Sequence, residues 1–146
     1  MGWQSKKCVV VPVDFSESSA PAIRMALDCA ESPESVHVVH GILNLEQVSP
    51  YGYWAVDDVK SREATAIEHL GKFLEENDIQ GVKAVVLLGD PSAEIVKYAD
   101  EQQADLVVIP SHGYSGLTRM LLGSTAERVI RHAHCPVYVM RRTDAE

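Results

Sequence analysis

Residues 107–130, "VVIPSHGYSGLTRMLLGSTAERVI", hold the side chains and spacing best suited to chemistry. Gly113 and Gly116 follow a run of apolar β-formers, and Gly123 and Ser124 stand where a helical pattern begins. A helix N-terminus offers unpaired amides and a partial positive charge, and glycine lets an anion come close to them. If the loop folds back, the amides of Gly113, Gly123 and Ser124 converge on one phosphate, and the Ser124 hydroxyl adds a bond. Pro110, which opens the loop, has no amide to offer. A structural reading stands beside this one. Ser124-Thr125-Ala126-Glu127 matches the capping box S-x-x-E, in which the helix end satisfies itself. The loop is not a Walker P-loop. Nor is there a dinucleotide fingerprint after the first strand, because "VDFSES" has no glycine.

Other residues also have side chains suited to chemistry. His132 and His134 are two apart with Cys135 adjacent, and on a helix end that spacing does not aim both rings at one metal. His112, inside the loop, can donate to a phosphate, and Arg119 can reach a phosphate or an acidic surface. His40 falls near the end of a strand, close to the site, and reads as a core or hydrogen-bonded residue. Asp90 opens "DPSAE", a turn leading into a helix rather than a metal carboxylate. Cys8, Cys29 and Cys135 are far apart with no C-x-x-C pair, and read as small buried hydrophobes in a reducing compartment. No nucleophile–base pair is evident, so at most slow hydrolysis is expected.

The elements that must position these residues follow from the whole chain. Its 146 residues suit one domain, 1–146. A net charge of −8 argues against non-specific binding to nucleic acid or to an anionic membrane surface. No run reaches the length of a membrane span and no targeting segment is visible, so the expected location is the cytoplasm.

The near-continuous apolar run at residues 8–13 suits a strand covered on both faces. A helix follows, with Ser16 or Ser18 as cap, Pro21 in its first turn, and Ala22, Met25, Ala26 and Cys29 on one face. The second strand spans 35–43. The stretch from Asn44 to Ala55 is a turn-rich loop whose Tyr51, Tyr53 and Trp54 can form a lid or a partner surface. A long helix spans 57–77, with Val59, Ala66, Leu70 and Leu74 as its apolar stripe. Strands at 81–89, 104–110 and 135–142 alternate with helices at 90–103 and 123–133. Strict β-α alternation predicts an open parallel sheet with helices on both faces. Ligands in such folds sit beyond the carboxyl ends of the strands, here at Asp14, Gly41, Gly89 and Pro110.

Four stretches carry a resemblance: "VVVPVDFSESSAPAIRMALDCA", "VHVVHGI", "GDPSAEIVKYADEQQADLVVIPSHG" and "SHGYSGLTRMLLGSTAERVIRHAHCPVYVMR". Over nearly its whole length the chain resembles the universal stress protein family. The resemblance implies a Rossmann-like α/β fold of the adenine-nucleotide-hydrolase-like type, a five-stranded parallel sheet in order 3-2-1-4-5. It implies a stress-response regulatory protein acting as a homodimer through the last strand, between Pro136 and Arg141, with protein partners unknown. The ATP-binding branch carries glycine, two residues, glycine, nine residues, glycine, then serine or threonine. Carried over, Gly113, Gly123 and Ser124 match, and Thr125 follows, while Pro110 replaces the first glycine. Asp14 matches an aspartate expected near the ribose or adenine, and Val13 before it can lend backbone contacts. Gly41 stands where a small aliphatic usually touches adenine, which leaves that face thinner. The implied cofactor is ATP, with magnesium carried on its phosphates. The alternative is a member without nucleotide, acting through protein contacts alone.

Overall fold

The chain folds as an all-parallel five-stranded sheet in the order β3-β2-β1-β4-β5. The structure is a computed structural model that describes residues 5–43, 56–111 and 122–141, of residues 56–59 only the backbone. Its elements are β1 Val9–Pro12, α1 Ser19–Cys29, β2 Val36–Ile42, α2 Val56–Glu76 and β3 Lys83–Leu88. α3 Pro91–Glu101, β4 Leu106–Pro110, α4 Ser124–His132 and β5 Val137–Met140 complete the order. A 3-10 turn, Pro33–Ser35, leads into β2 and was not expected.

The unbroken apolar run of β1 has the reason the pattern predicted. Side chains alternate across a strand, and both faces of this one are covered. Val9, Val11 and Val13 pack with Ala22, Ile23 and Ala26 of α1 and Leu70 and Leu74 of α2. Cys8 and Val10 pack with Ile95 and Ala99 of α3 and Ala126 and Val129 of α4. The inward face of α1 centres on Ile23, fully buried, while Met25 is only partly so. Ser18 takes the N-cap position of α1 but makes no side-chain cap bond. All three thiols are free, and burial raises the pKa of each above the ordinary value. Among the described residues no helix is long and apolar enough to cross a membrane.

One polar chain is buried under α3. His37 is only 5% exposed, and its Nδ1 lies 2.7 Å from the Tyr98 hydroxyl. Its Nε2 lies 3.9 Å from Cys8 Sγ. Burial, and then the Lys83 ammonium, lower the imidazole pKa below its ordinary 6.5. The unfolded chain therefore takes up a proton before the folded one does. Stability is complete above the unfolded value and falls as pH drops from there through the folded one. The slope is at most about 1.4 kcal/mol per pH unit. Urea midpoints measured from pH 8 to pH 5 are expected to fall for the native chain and to flatten in His37→Gln. A native midpoint that stays level over this range would contradict the assignment.

Candidate functional site

Strand order reverses at β1. The chain runs outward to β2 and β3, then returns to lay β4 on the other side of β1. A crevice opens there for a local reason. β1 and β4 pair only at Val9–Leu106 and Val10–Val107. Backbone groups alternate sides along a strand, and the Val13 amide bonds Val39 of β2. The amide position of residue 12 therefore faces β4. By the same alternation, the Ser111 amide bonds Met140 of β5, so the amide position of residue 110 faces β1. The next two rungs of the ladder need N–H groups at exactly the positions held by Pro12 and Pro110, and proline has none. The strands part, and a cavity of about 290 Å³ lies at the gap. Pro12, Val39, Ile109, Pro91 and Ile95 give it apolar walls. Asp14 and His40 stand at its rim with Val13 and Gly41, and Ser111, Gly123, Ser124 and Thr125 close it.

Two helices begin at this cavity, and they differ. α3 is capped by its own sequence. Ala93 N–H donates to Asp90 Oδ2 at 3.2 Å and the Ser92 hydroxyl donates to the same oxygen at 2.8 Å. These bonds, the serine's first, lower the Asp90 pKa. The helix end is thus already answered by a carboxylate. α4 is not. Its N-cap is Gly123, with no side-chain cap bond. The capping box does not form, because Ser124 is already the first helical residue. Glu127 turns instead to Arg131, at 2.6 Å. The Gly123 amide donates to Ser111 O at 2.7 Å, so it is engaged within the protein rather than free to converge on an anion. Among the described residues the amides of Ser124, Thr125 and Ala126 have no partner. They give the cavity one positive end.

The rim opposite is set by the β1–α1 turn. Asp14 Oδ1 accepts from Ser16 N–H at 3.0 Å and from the Ser19 hydroxyl at 3.2 Å. Phe15 follows in the left-handed region, φ 65°. His40 Nδ1 lies 2.8 Å from Val13 O, the hydrogen-bonded role expected of it. A Cβ on Gly41 would lie 3.1–3.3 Å from Pro91. The wall is therefore not thin there; the proline ring of α3 fills the space a side chain would take.

Of the residues singled out in the sequence, Val13, Asp14, Gly41, Pro110, Gly123, Ser124 and Thr125 come together around one cavity. His112 and Gly113 lie outside the described residues, as do Arg119 and the loop from Asn44 to Ala55. His134 bonds the Asp100 carboxylate at 2.9–3.0 Å, away from the cavity. Sequence reasoning did not bring Pro12, Pro91, Ile95 or Ser111 to the site. Pro12 alone carried a signal, a proline in an otherwise central strand.

Known proteins share this fold. Universal stress protein MJ0531 of Methanocaldococcus jannaschii is 35% identical over 96% of this chain and 85% of its own length. The solved structure of MJ0577 superposes with a TM-score of 0.69 at 30% identity, covering 94% of this chain and 97% of that one. The fold is also that of a universal stress protein in complex with cAMP, at a TM-score of 0.66 and 21% identity, covering 94% and 99%. An Archaeoglobus fulgidus universal stress protein in complex with dAMP superposes at 0.57 and 24%, covering 90% and 95%. The family model for universal stress proteins matches residues 6–141. With that match over nearly the whole sheet and both helical layers, the chain belongs to the universal stress protein family.

Proposed function

We propose that this protein binds an adenine nucleotide, ATP in particular, and acts as a dimeric regulator whose shape or partners the nucleotide changes. The observation that carries the reading is the uncapped start of α4 opening on a cavity with apolar walls. The phosphates lie against the amides of Ser124 and Thr125, with the Ser124 hydroxyl beside them. The base lies between Pro91, Ile95 and the floor formed by Val39 and Ile109. Asp14 meets donor groups of the nucleoside. The donor set fits the ligand: unpaired amides for the anion, apolar walls for a flat ring, one carboxylate for hydroxyl or amino groups. The nucleotide supplies charge and shape when bound. Magnesium rides on its phosphates, because Asp14 is the one carboxylate among the described lining residues.

The two relatives with cAMP and dAMP support the reading at the level of the fold. β5 supports the dimer. It is an edge strand, with Tyr138 exposed and Val137, Val139 and Met140 half-buried, and such an edge favours pairing with a second copy. The protein is a binder rather than a catalyst. Asp14 and His40 are the titratable groups among the described lining residues, and each is held by backbone or serine partners.

The test starts with purified, untreated protein. Small molecules released on denaturation are identified by mass, and ATP with magnesium is titrated by calorimetry. A released or titratable adenine nucleotide is expected, with hydrolysis far below ordinary enzyme turnover. No heat up to millimolar ATP would sink the nucleotide reading. Turnover at ordinary enzyme rates would sink the non-catalytic one.

A further inference from the structure

We propose that Phe15 is a positioning residue: it holds a strained turn so that Asp14 presents its carboxylate to the cavity. The inference rests on the nucleotide reading and adds a part to it. Left-handed backbone disfavours a residue with a Cβ, and for a bulky side chain it is an outlier. Phe15 adopts it, at φ 65°, in the residue directly after Asp14. Something outside the turn must therefore hold it.

The rings around Phe15 do so. Its ring stacks on His69 of α2, with centroids 4.3 Å apart and 18° between planes. It meets His40 of β2 at 4.5 Å and the edge of Phe73 of α2 at 5.3 Å. Phe15 is thus gripped by α2, which covers the sheet face opposite α3 and α4, and by His40 of β2, itself at the cavity rim. Val13 and Asp14, just before Phe15, line the cavity. Val13 O is bound to His40, and Asp14 Oδ1 is bound by Ser16 and Ser19. His40 serves both halves, gripping the Phe15 ring and fixing the Val13 carbonyl. Without the ring, a residue with a Cβ relaxes to negative φ. That rotates the Asp14–Phe15 peptide and takes the Ser16 amide away from the Asp14 carboxylate.

Two substitutions separate this role from ordinary packing, because they are expected to move in opposite directions. Phe15→Ala removes the ring and keeps the backbone penalty. Phe15→Gly removes the ring and the penalty together, since glycine takes positive φ freely. If Phe15 only fills space, glycine is the worse of the two, burying less and losing more chain entropy. If it holds a strained turn, glycine rescues.

The expected result is that Phe15→Ala weakens ATP binding about tenfold or more by calorimetry. Phe15→Gly recovers most of that loss, and melts above Phe15→Ala. His69→Ala weakens binding several-fold alone and adds nothing in the Phe15→Ala background. Equal affinity of Phe15→Ala and the native protein would overturn the proposal. So would a Phe15→Gly variant that binds and melts no better than Phe15→Ala. A native protein that binds no nucleotide would instead bring down the underlying reading, and this role with it.

Discussion

Gly123→Val is expected to remove nucleotide binding and leave a folded protein. Gly123 sits at φ −63° and ψ 152°, which any residue adopts, so its backbone does not require glycine. Valine is a poorer N-cap than glycine, a loss of up to about 1 kcal/mol that a domain of this size tolerates. Its two methyls stand beside the amides of Ser124 and Thr125, where the anion must come into contact. Hydrogen bonds to a charged group contribute about 1.5–3 kcal/mol each. Losing two of them weakens binding by a factor of about a hundred or more. Calorimetry with ATP, beside a thermal melt of the same sample, reads both halves of the expectation. Native affinity in the folded variant would mean that the phosphates lie elsewhere.

Gly41→Val carries the largest expected effect on stability. Valine suits a strand, and the family resemblance expects a small aliphatic at this position. Here its Cβ would stand 3.1 Å from Pro91 Cβ and 3.2 Å from Pro91 Cα. The second contact is backbone, so the first turn of α3 has to move rather than a side chain turning aside. Overpacking of this kind costs about 1–3 kcal/mol. For a chain near 150 residues that is a drop in Tm of about 3–10 °C. Pro91→Gly removes the Cβ and Cγ contacts, at 3.1 and 3.3 Å, and leaves only the backbone one, so the double variant is expected to lose less than the two singles summed. A Gly41→Val protein that melts with the native one would show that α3 yields without resistance. Because Pro91 is also a wall of the cavity, affinity for the base is expected to fall with stability.

Much of this could be read before the structure. The apolar run of β1, the proline at the start of α3 and the alternation of strands with helices specify a doubly covered parallel sheet. Its strand order came from the family resemblance, while the strand-end rule put Asp14 and the loop after β4 at one end of the sheet. What could not be read depends on which side of a strand a backbone group faces. Nothing in "LVVIPSHG" says that the missing amide of Pro110 looks toward β1. Ladder parity, rather than loop chemistry, is what the fold adds about Pro110. The capping box failed for a related reason. Ser124 has the right neighbours in sequence, but the bond from Gly123 to Ser111 starts the helix one residue early and leaves Ser124 inside it. Gly41 looked like an empty place because its occupant, Pro91, comes from a helix 50 residues further along the chain.

The paired prolines also give the crevice a chemical polarity. A parallel ladder normally consumes donors and acceptors in equal number. Where Pro12 and Pro110 interrupt it, the donors are gone and the carbonyls of Pro12 and Val108 remain, turned toward the gap without a rung to close. The seam of the sheet is thus a strip of acceptors, set against a helix end made of donors. A molecule that enters meets opposite hydrogen-bonding character at its two ends. One that is rich in N–H and O–H groups at one end and anionic at the other fits in a single orientation.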